Sequence, residues 1–101
     1  MLPSKLHKNL HLYNVDVTRR AEISKCALAV QDQVGAVDIL INNAGIANEG
    51  KLFVELNEQE MQRIFDVNVM AQMYMCRQFL PGMMERNSGH IVNMVSCLFV
   101  V

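Results

Sequence analysis

The feature that most constrains the fold is Val37-Asp38-Ile39-Leu40-Ile41, a short β-rich run that stops at Asn42-Asn43-Ala44-Gly45. A nearly continuous apolar strand of this kind has the profile of a central parallel strand covered on both faces. Asn side chains and a Gly at its carboxyl end can hydrogen-bond neighbouring loops while letting a flat ligand approach the backbone. Open α/β sheets bind ligands at that end of their strands. Taken alone, the same residues also read as an ordinary Asn/Gly turn.

The flanking patterns extend the reading. Leu10, Leu12, Val15 and Val17 alternate imperfectly and end in Asp16-Val17-Thr18, which predicts a strand running into a turn. Ile23, Ala27, Val30 and Val34 then recur at helical spacing, with Thr18 placed as N-cap and Gly35 placed to end the helix in a left-handed conformation. Asn57-Glu58-Gln59-Glu60 resembles a capping box and opens a long helix through at least Leu80, where Pro81-Gly82 bend or end it. Gly89-His90-Ile91-Val92-Asn93-Met94-Val95-Ser96 predicts a further strand. Strand, helix, strand, helix, strand gives an α/β class with right-handed crossovers and a parallel sheet.

The 101-residue length holds one core at most. Its 51% apolar content and formal net charge of −1 suit a globular interior and exclude a nucleic-acid electrostatic footprint. Cys26, Cys76 and Cys97 are far apart and form no CxxC pair, which points to a reducing intracellular setting with neither a disulfide framework nor a metal site. The first residues show no signal peptide or anchor, and the apolar stretch at 91–101 is too short to span a bilayer. Ile64, Phe65, Val67, Val69, Met70, Met73, Tyr74, Met75, Phe79 and Leu80 leave the long helix little polar face. One side is expected on the sheet and another against a partner subunit.

Asp16-Val17 at a strand end, the Asn-Asn-Ala-Gly turn, Asn68 within a helix and Gly89-His90-Ile91-Val92-Asn93 leading to Ser96 form one ordered constellation. It resembles the short-chain dehydrogenase/reductase family, from about Leu10 to the last residue. The resemblance implies a partial Rossmann-like, doubly wound parallel sheet. It also implies an oxidoreductase that transfers hydride between NAD or NADP and a secondary alcohol or ketone. Asp16 and Val17 would lie against the adenine ring, and Asn42, Ala44 and Gly45 would line the cofactor's ribose side, with Val69 also touching it. Asn68 matches the catalytic Asn, which bends its helix so that a backbone carbonyl and a water join the proton relay. Ser96 matches the catalytic Ser that holds the substrate oxygen. Val95 departs from the adjacent Ser common in the family, and Cys97-Leu98-Phe99 is bulkier than the small residues that usually follow.

Other family parts are missing from the sequence. There is no Tyr with a Lys four residues on, since Tyr13 is followed at that spacing by Val17 and Tyr74 by Gln78. Gly35, Gly45, Gly50, Gly82 and Gly89 are too dispersed for a pyrophosphate-binding turn. Residues 1–101 are therefore expected to be an incomplete dinucleotide-binding domain, inactive alone and poorly soluble. The alternative is a truncated, catalytically inactive isoform or fragment acting through subunit pairing. In a full-length protein the resemblance implies a homo-oligomer formed through the 58–80 helix. The location would be cytoplasmic or, with an N-terminal anchor, at the endoplasmic reticulum membrane or lipid droplet. Gly50-Lys51-Leu52-Phe53 and Phe79-Leu80-Pro81-Gly82-Met83 look most like members acting on hydroxysteroids and retinoids.

Three further patterns carry less. Gly45-Ile46-Ala47-Asn48-Glu49-Gly50-Lys51 fits part of a phosphate-binding loop, but Leu52 stands where a Ser or Thr would bind magnesium. His7 and His11 lack the Glu of a zinc-protease helix. The Met residues at 70, 73, 75, 83 and 84 read as filler for a core or interface.

Overall fold

The computed structural model describes residues 9–47 and 50–95. Helix α1 (Arg20–Gln33) leads into strand β1 (Ile39–Asn42). After a short 3-10 turn come helix α2 (Glu58–Phe65), a π-helical turn (Asp66–Met70) and helix α3 (Ala71–Arg86), and then strand β2 (His90–Asn93). The strands are parallel, with Ile39 opposite His90, Leu40 opposite Ile91, Ile41 opposite Val92 and Asn42 opposite Asn93.

The capping box at Asn57 forms in full. Glu60 N–H donates to Asn57 Oδ1 at 2.8 Å, and Asn57 N–H donates to Glu60 Oε1 at 3.3 Å. From there α2, the π-turn and α3 run as one rod, because the residues at both junctions keep right-handed helical angles. The rod does not stop at Pro81. Proline removes one ladder hydrogen bond and crowds the preceding turn, but the turn beyond it places Met83 in the core and lets Arg86 donate to the Val37 carbonyl at 2.9 Å. Those contacts continue the helix to Asn87, which ends it in the left-handed region at φ 49°.

Ala27, Leu40, Phe79 and Met83 form the core, with Val30, Val37, Met75, Cys76 and Ile91 packed against it. Each large buried side chain is worth roughly 1.5–3 kcal/mol. Gly89 matters here because a Cβ on it would strike the Met83 side chain, so the start of β2 can close on α3 only without one. Helix α1 joins α3 through Gln78 Nε2 donating to Ser24 Oγ at 3.1 Å and through Arg20 stacked 4.6 Å above the Tyr74 ring.

Several expectations need correction. Residues 10–17 form no strand, and the described sheet contains only β1 and β2. An alternating segment becomes a strand only where a neighbour lies within ladder distance. Thr18 does not cap α1. Its N–H and hydroxyl both donate to Asp16 Oδ1, and Arg19 takes the cap position without a side-chain bond. Gly35 does end α1, with φ 121° and its N–H bonded to the Val30 carbonyl at 3.0 Å. Among the described residues β1 is covered on one face only. Leu40 and Asn42 are buried under α3, whereas Ile39 and Ile41 are 61% and 59% exposed, because α3 is the described helix that contacts the strands.

Glu60 also accepts from the Lys51 ammonium, and this contact, followed by the bond from Asn57 N–H, holds its carboxyl below the ordinary value of 4.5. A carboxylate with a depressed folded pKa adds stability that is fully present above the unfolded value and lost as pH falls through the folded one. The melting-temperature gap between the parent chain and Glu60→Gln is therefore expected to be widest near about pH 6 and to close towards about pH 3. A gap that stays constant across a thermal-melt series would exclude this coupling.

Candidate functional site

Because β1 and β2 are parallel and in register, their carboxyl ends lie side by side at Asn42 and Asn93. Asn42 Nδ2 donates to Asn93 Oδ1 at 2.8 Å and also approaches Cys76 Sγ at 3.7 Å. Beyond this tie the chain leaves β1 as residues 43–47 and β2 as residues 94–95. The two segments flank an open cleft of about 580 Å³, lined by residues 43–47, Asn68 and residues 93–95.

The helical rod forms the back of this cleft. At the π-turn, Ala71 N–H reaches back to the Asp66 carbonyl, so the helix is wider by one residue around Asn68. Such single π-turns recur at functional sites. Asn68 is 5% exposed, and its amide makes one accepted and one donated bond to a single backbone residue. Its Oδ1 accepts from Ile46 N–H at 2.8 Å, and its Nδ2 donates to the Ile46 carbonyl at 2.8 Å. Gly45 lies beside this arrangement, where a Cβ would make ordinary van der Waals contact with Asn68 Oδ1 at 3.4 Å.

Of the residues expected at the site, Ala44, Gly45 and Asn68 line the cleft together. Asn42 lies beneath it, 6% exposed and turned towards α3. Val69 borders a smaller adjoining cleft of about 300 Å³ with Gln72 and Met73. Asp16 and Val17 are in the turn before α1 and do not line the main cleft. Asp16 Oδ1 accepts from the Thr18 hydroxyl at 2.6 Å and from Thr18 N–H at 2.9 Å. Those bonds, in that order, hold its carboxyl below the usual value, with Arg19 and Arg63 adding to the effect. Ser96 lies outside the described residues, although Val95 before it lines the cleft.

Asn43, Ile46, Ala47 and Met94 are cleft residues that sequence reasoning did not assign. The strand pleat could have separated Asn43 from Asn42, since consecutive residues face opposite ways. Ile46 carries no signal of its own, because its backbone makes the contact. The described lining residues bear neutral amides and apolar groups, so they can bind and orient a ligand but supply no acid or base. Among the described residues no cluster of His, Cys, Asp or Glu is suited to a metal ion, and no helix is long and apolar enough to cross a membrane.

Comparison with known proteins adds the family context. The family model described as short chain dehydrogenase matches residues 2–99. Dehydrogenase RED3 of Cochliobolus heterostrophus is 38% identical over 90 residues, which is 89% of this chain and 45% of that protein. Estradiol 17-beta-dehydrogenase 11 of Rattus norvegicus is 39% identical over 92 residues, 91% of this chain and 30% of the relative. Epidermal retinol dehydrogenase 2 of Mus musculus is 43% identical over 83 residues, 82% and 26% respectively. The chain thus spans less than half the length of these relatives.

Among solved structures, a short-chain dehydrogenase from Streptomyces avermitilis superposes with a TM-score of 0.72 at 36% identity, covering 77% of this chain and 28% of that one. A metagenomic short-chain oxidoreductase in complex with NADP gives a TM-score of 0.73 at 29% identity, covering 78% and 36%. The fold shared with them is a partial Rossmann-like α/β fold.

The Asn68 pairing makes a direct prediction. Asn68→Ala leaves the Ile46 N–H and carbonyl without this partner, and Asn68→Asp keeps the acceptor but sets a carboxylate against the Ile46 carbonyl. Each is expected to lower stability by about 1–3 kcal/mol and to speed amide exchange at Ile46. Unchanged Ile46 exchange in both variants would show that Asn68 does not hold the loop.

Proposed function

The chain belongs to the short-chain dehydrogenase family, and on that premise we propose that it forms the cofactor-facing middle of an oxidoreductase acting on a secondary alcohol or ketone. NAD or NADP, when bound, would supply hydride transfer, and the protein its placement. The observation that carries the reading is the open cleft at the paired carboxyl ends of β1 and β2, lined by Ala44, Gly45 and Asn68. This is the place in an open parallel sheet where a dinucleotide binds.

In this proposal Ala44 and Gly45 form the wall for the ribose side, and Asn42 supports that wall from beneath through Asn93. Val69 borders the same region from the helix. Asp16 and Val17 take the adenine end, a placement that rests on the family resemblance. Ser96 would hold the substrate oxygen, and Asn68, at the π-turn, would serve the proton relay by shaping the helix backbone, because its own amide is engaged by Ile46. The sequence holds no Tyr-x-x-x-Lys and no glycine-rich turn. We therefore assign residues 1–101 to part of a dinucleotide-binding domain whose remaining parts belong to a longer protein. The named relatives favour a lipophilic alcohol or ketone of the steroid or retinoid type. The unpaired Cys26 and Cys76 suit an intracellular setting.

A homo-oligomer through the 58–80 helix belongs to the same proposal. Met61, Phe65, Met73 and Leu80 are all substantially exposed on it, and an apolar helix face of this kind is normally covered. Met73→Glu combined with Leu80→Glu is expected to shift sedimentation towards monomer, and an unchanged distribution would remove the helix from the interface.

The cofactor reading is tested by NADPH fluorescence titration of the chain. The glycine-rich turn that would hold the pyrophosphate is not in this sequence, so weak but saturable enhancement is expected, with Gly45→Val weakening it further by about tenfold, equivalent to about 1.4 kcal/mol. Absence of saturable binding, or equal binding by Gly45→Val, would sink the assignment.

A further inference from the structure

We propose that Gln72 is a positioning residue that fixes where the chain leaves β2 and thereby sets the Met94–Val95 wall of the cleft. Gln72 lies in the rod four positions after Asn68, so the two share a helix face. It is 7% exposed, and burying an amide is unfavourable unless it is hydrogen-bonded. Its Nε2 donates to the Met94 carbonyl at 2.9 Å.

The Met94 carbonyl belongs to the first residue past the β1–β2 ladder, whose own N–H donates to the Asn42 carbonyl at 2.9 Å. Residue 94 is therefore held from both sides, by β1 through its N–H and by the rod through its carbonyl. Packing contributes little to this placement, because the Met94 and Val95 side chains are 55% and 63% exposed. Hydrogen bonds direct the segment.

The two helix amides divide the work. Asn68 grips Ile46 on the β1 side of the cleft, and Gln72 grips Met94 on the β2 side. One rigid rod thus sets the separation of both walls. An apolar residue at position 72 could fill the same volume but would leave the Met94 carbonyl without this donor. Only the functional consequence rests on the cofactor cleft proposed above; the placement of the Met94–Val95 segment does not.

The test is amide exchange and amide chemical shifts by NMR on the chain, comparing the parent with Gln72→Leu, Gln72→Glu and Gln72→His. Leu keeps the bulk without a donor, Glu presents an acceptor at neutral pH, and His restores an N–H at similar reach. We expect Gln72→Leu and Gln72→Glu to speed Met94 exchange about tenfold and to shift the Val95 amide resonance. The His90 amide, bonded to the Asp38 carbonyl at the other end of the ladder, should be unaffected. Gln72→His should return both readouts towards the parent. Unchanged Met94 exchange in Gln72→Leu overturns the proposal. Equal acceleration at Met94 and His90, without rescue by Gln72→His, also overturns it, since that pattern reports general destabilisation. If the parent chain shows no saturable NADPH binding while the Met94 response and its rescue hold, the cofactor reading fails and the positioning role stands.

Discussion

The side chain of Asn68 meets the backbone of Ile46 as an adjacent strand would, with one bond accepted and one donated. Asn68 is buried and Ile46 half-buried, so losing either bond leaves the Asn68 amide short of a partner away from bulk water. The loop after β1 is thereby anchored to the middle of a helix, and the helix is widened by its π-turn at the same residue. Gly45 lies next to the anchored residue and lines the cleft between loop and helix. The cleft's shape follows from that pairing more than from apolar packing, since most of its lining residues are exposed.

The core lies on the other side of the Asn42–Asn93 tie. Leu40 and Ile91 face α3 together with Phe79 and Met83, and the same pleated face ends in the two Asn residues. The apolar layer therefore stops where the amides begin. Register is critical, because a one-residue slip would turn every side chain of a strand to the opposite face. It would separate Asn42 from Asn93 and move the segment after β2 away from Gln72. Gly89 contributes at the far end, where its lack of a Cβ lets β2 start close to Met83.

Local chemistry was the most legible part of the sequence. The capping box at Asn57 and the helix stop at Gly35 are set by a few adjacent residues and formed as expected. Features that depend on distant neighbours were less legible. The alternation in residues 10–17 records a segment able to be a strand, but pairing requires another strand beside it, and the described sheet provides none. Pro81 signals a helix end locally, yet the contacts of Met83 and Arg86 one turn later decide otherwise. At the site, the Asn-Asn-Ala-Gly turn was conspicuous as a unit, but the pleat divides it. Asn42 follows Leu40 into the interior, while Ala44 and Gly45 reach the cleft. Gln72 was silent because a glutamine within a helix ordinarily faces water, and its burial depends on β2 arriving from another part of the chain.

The chemistry of the cleft also limits what can control it. Its described walls are held by amides and backbone groups that stay neutral and can both donate and accept, so their geometry does not depend on proton concentration. The carboxyls with displaced titration, Asp16 and Glu60, lie outside the cleft lining and are held below the ordinary carboxylate values, by Thr18 and by Lys51 first. Both keep their charge as pH moves around neutrality and lose it only in acid. His90 begins β2, at the opposite end of the strand from the cleft. A pH dependence of the proposed reaction near neutrality would therefore report a group other than these walls. That division suits a scaffold whose cleft holds its shape across that pH range.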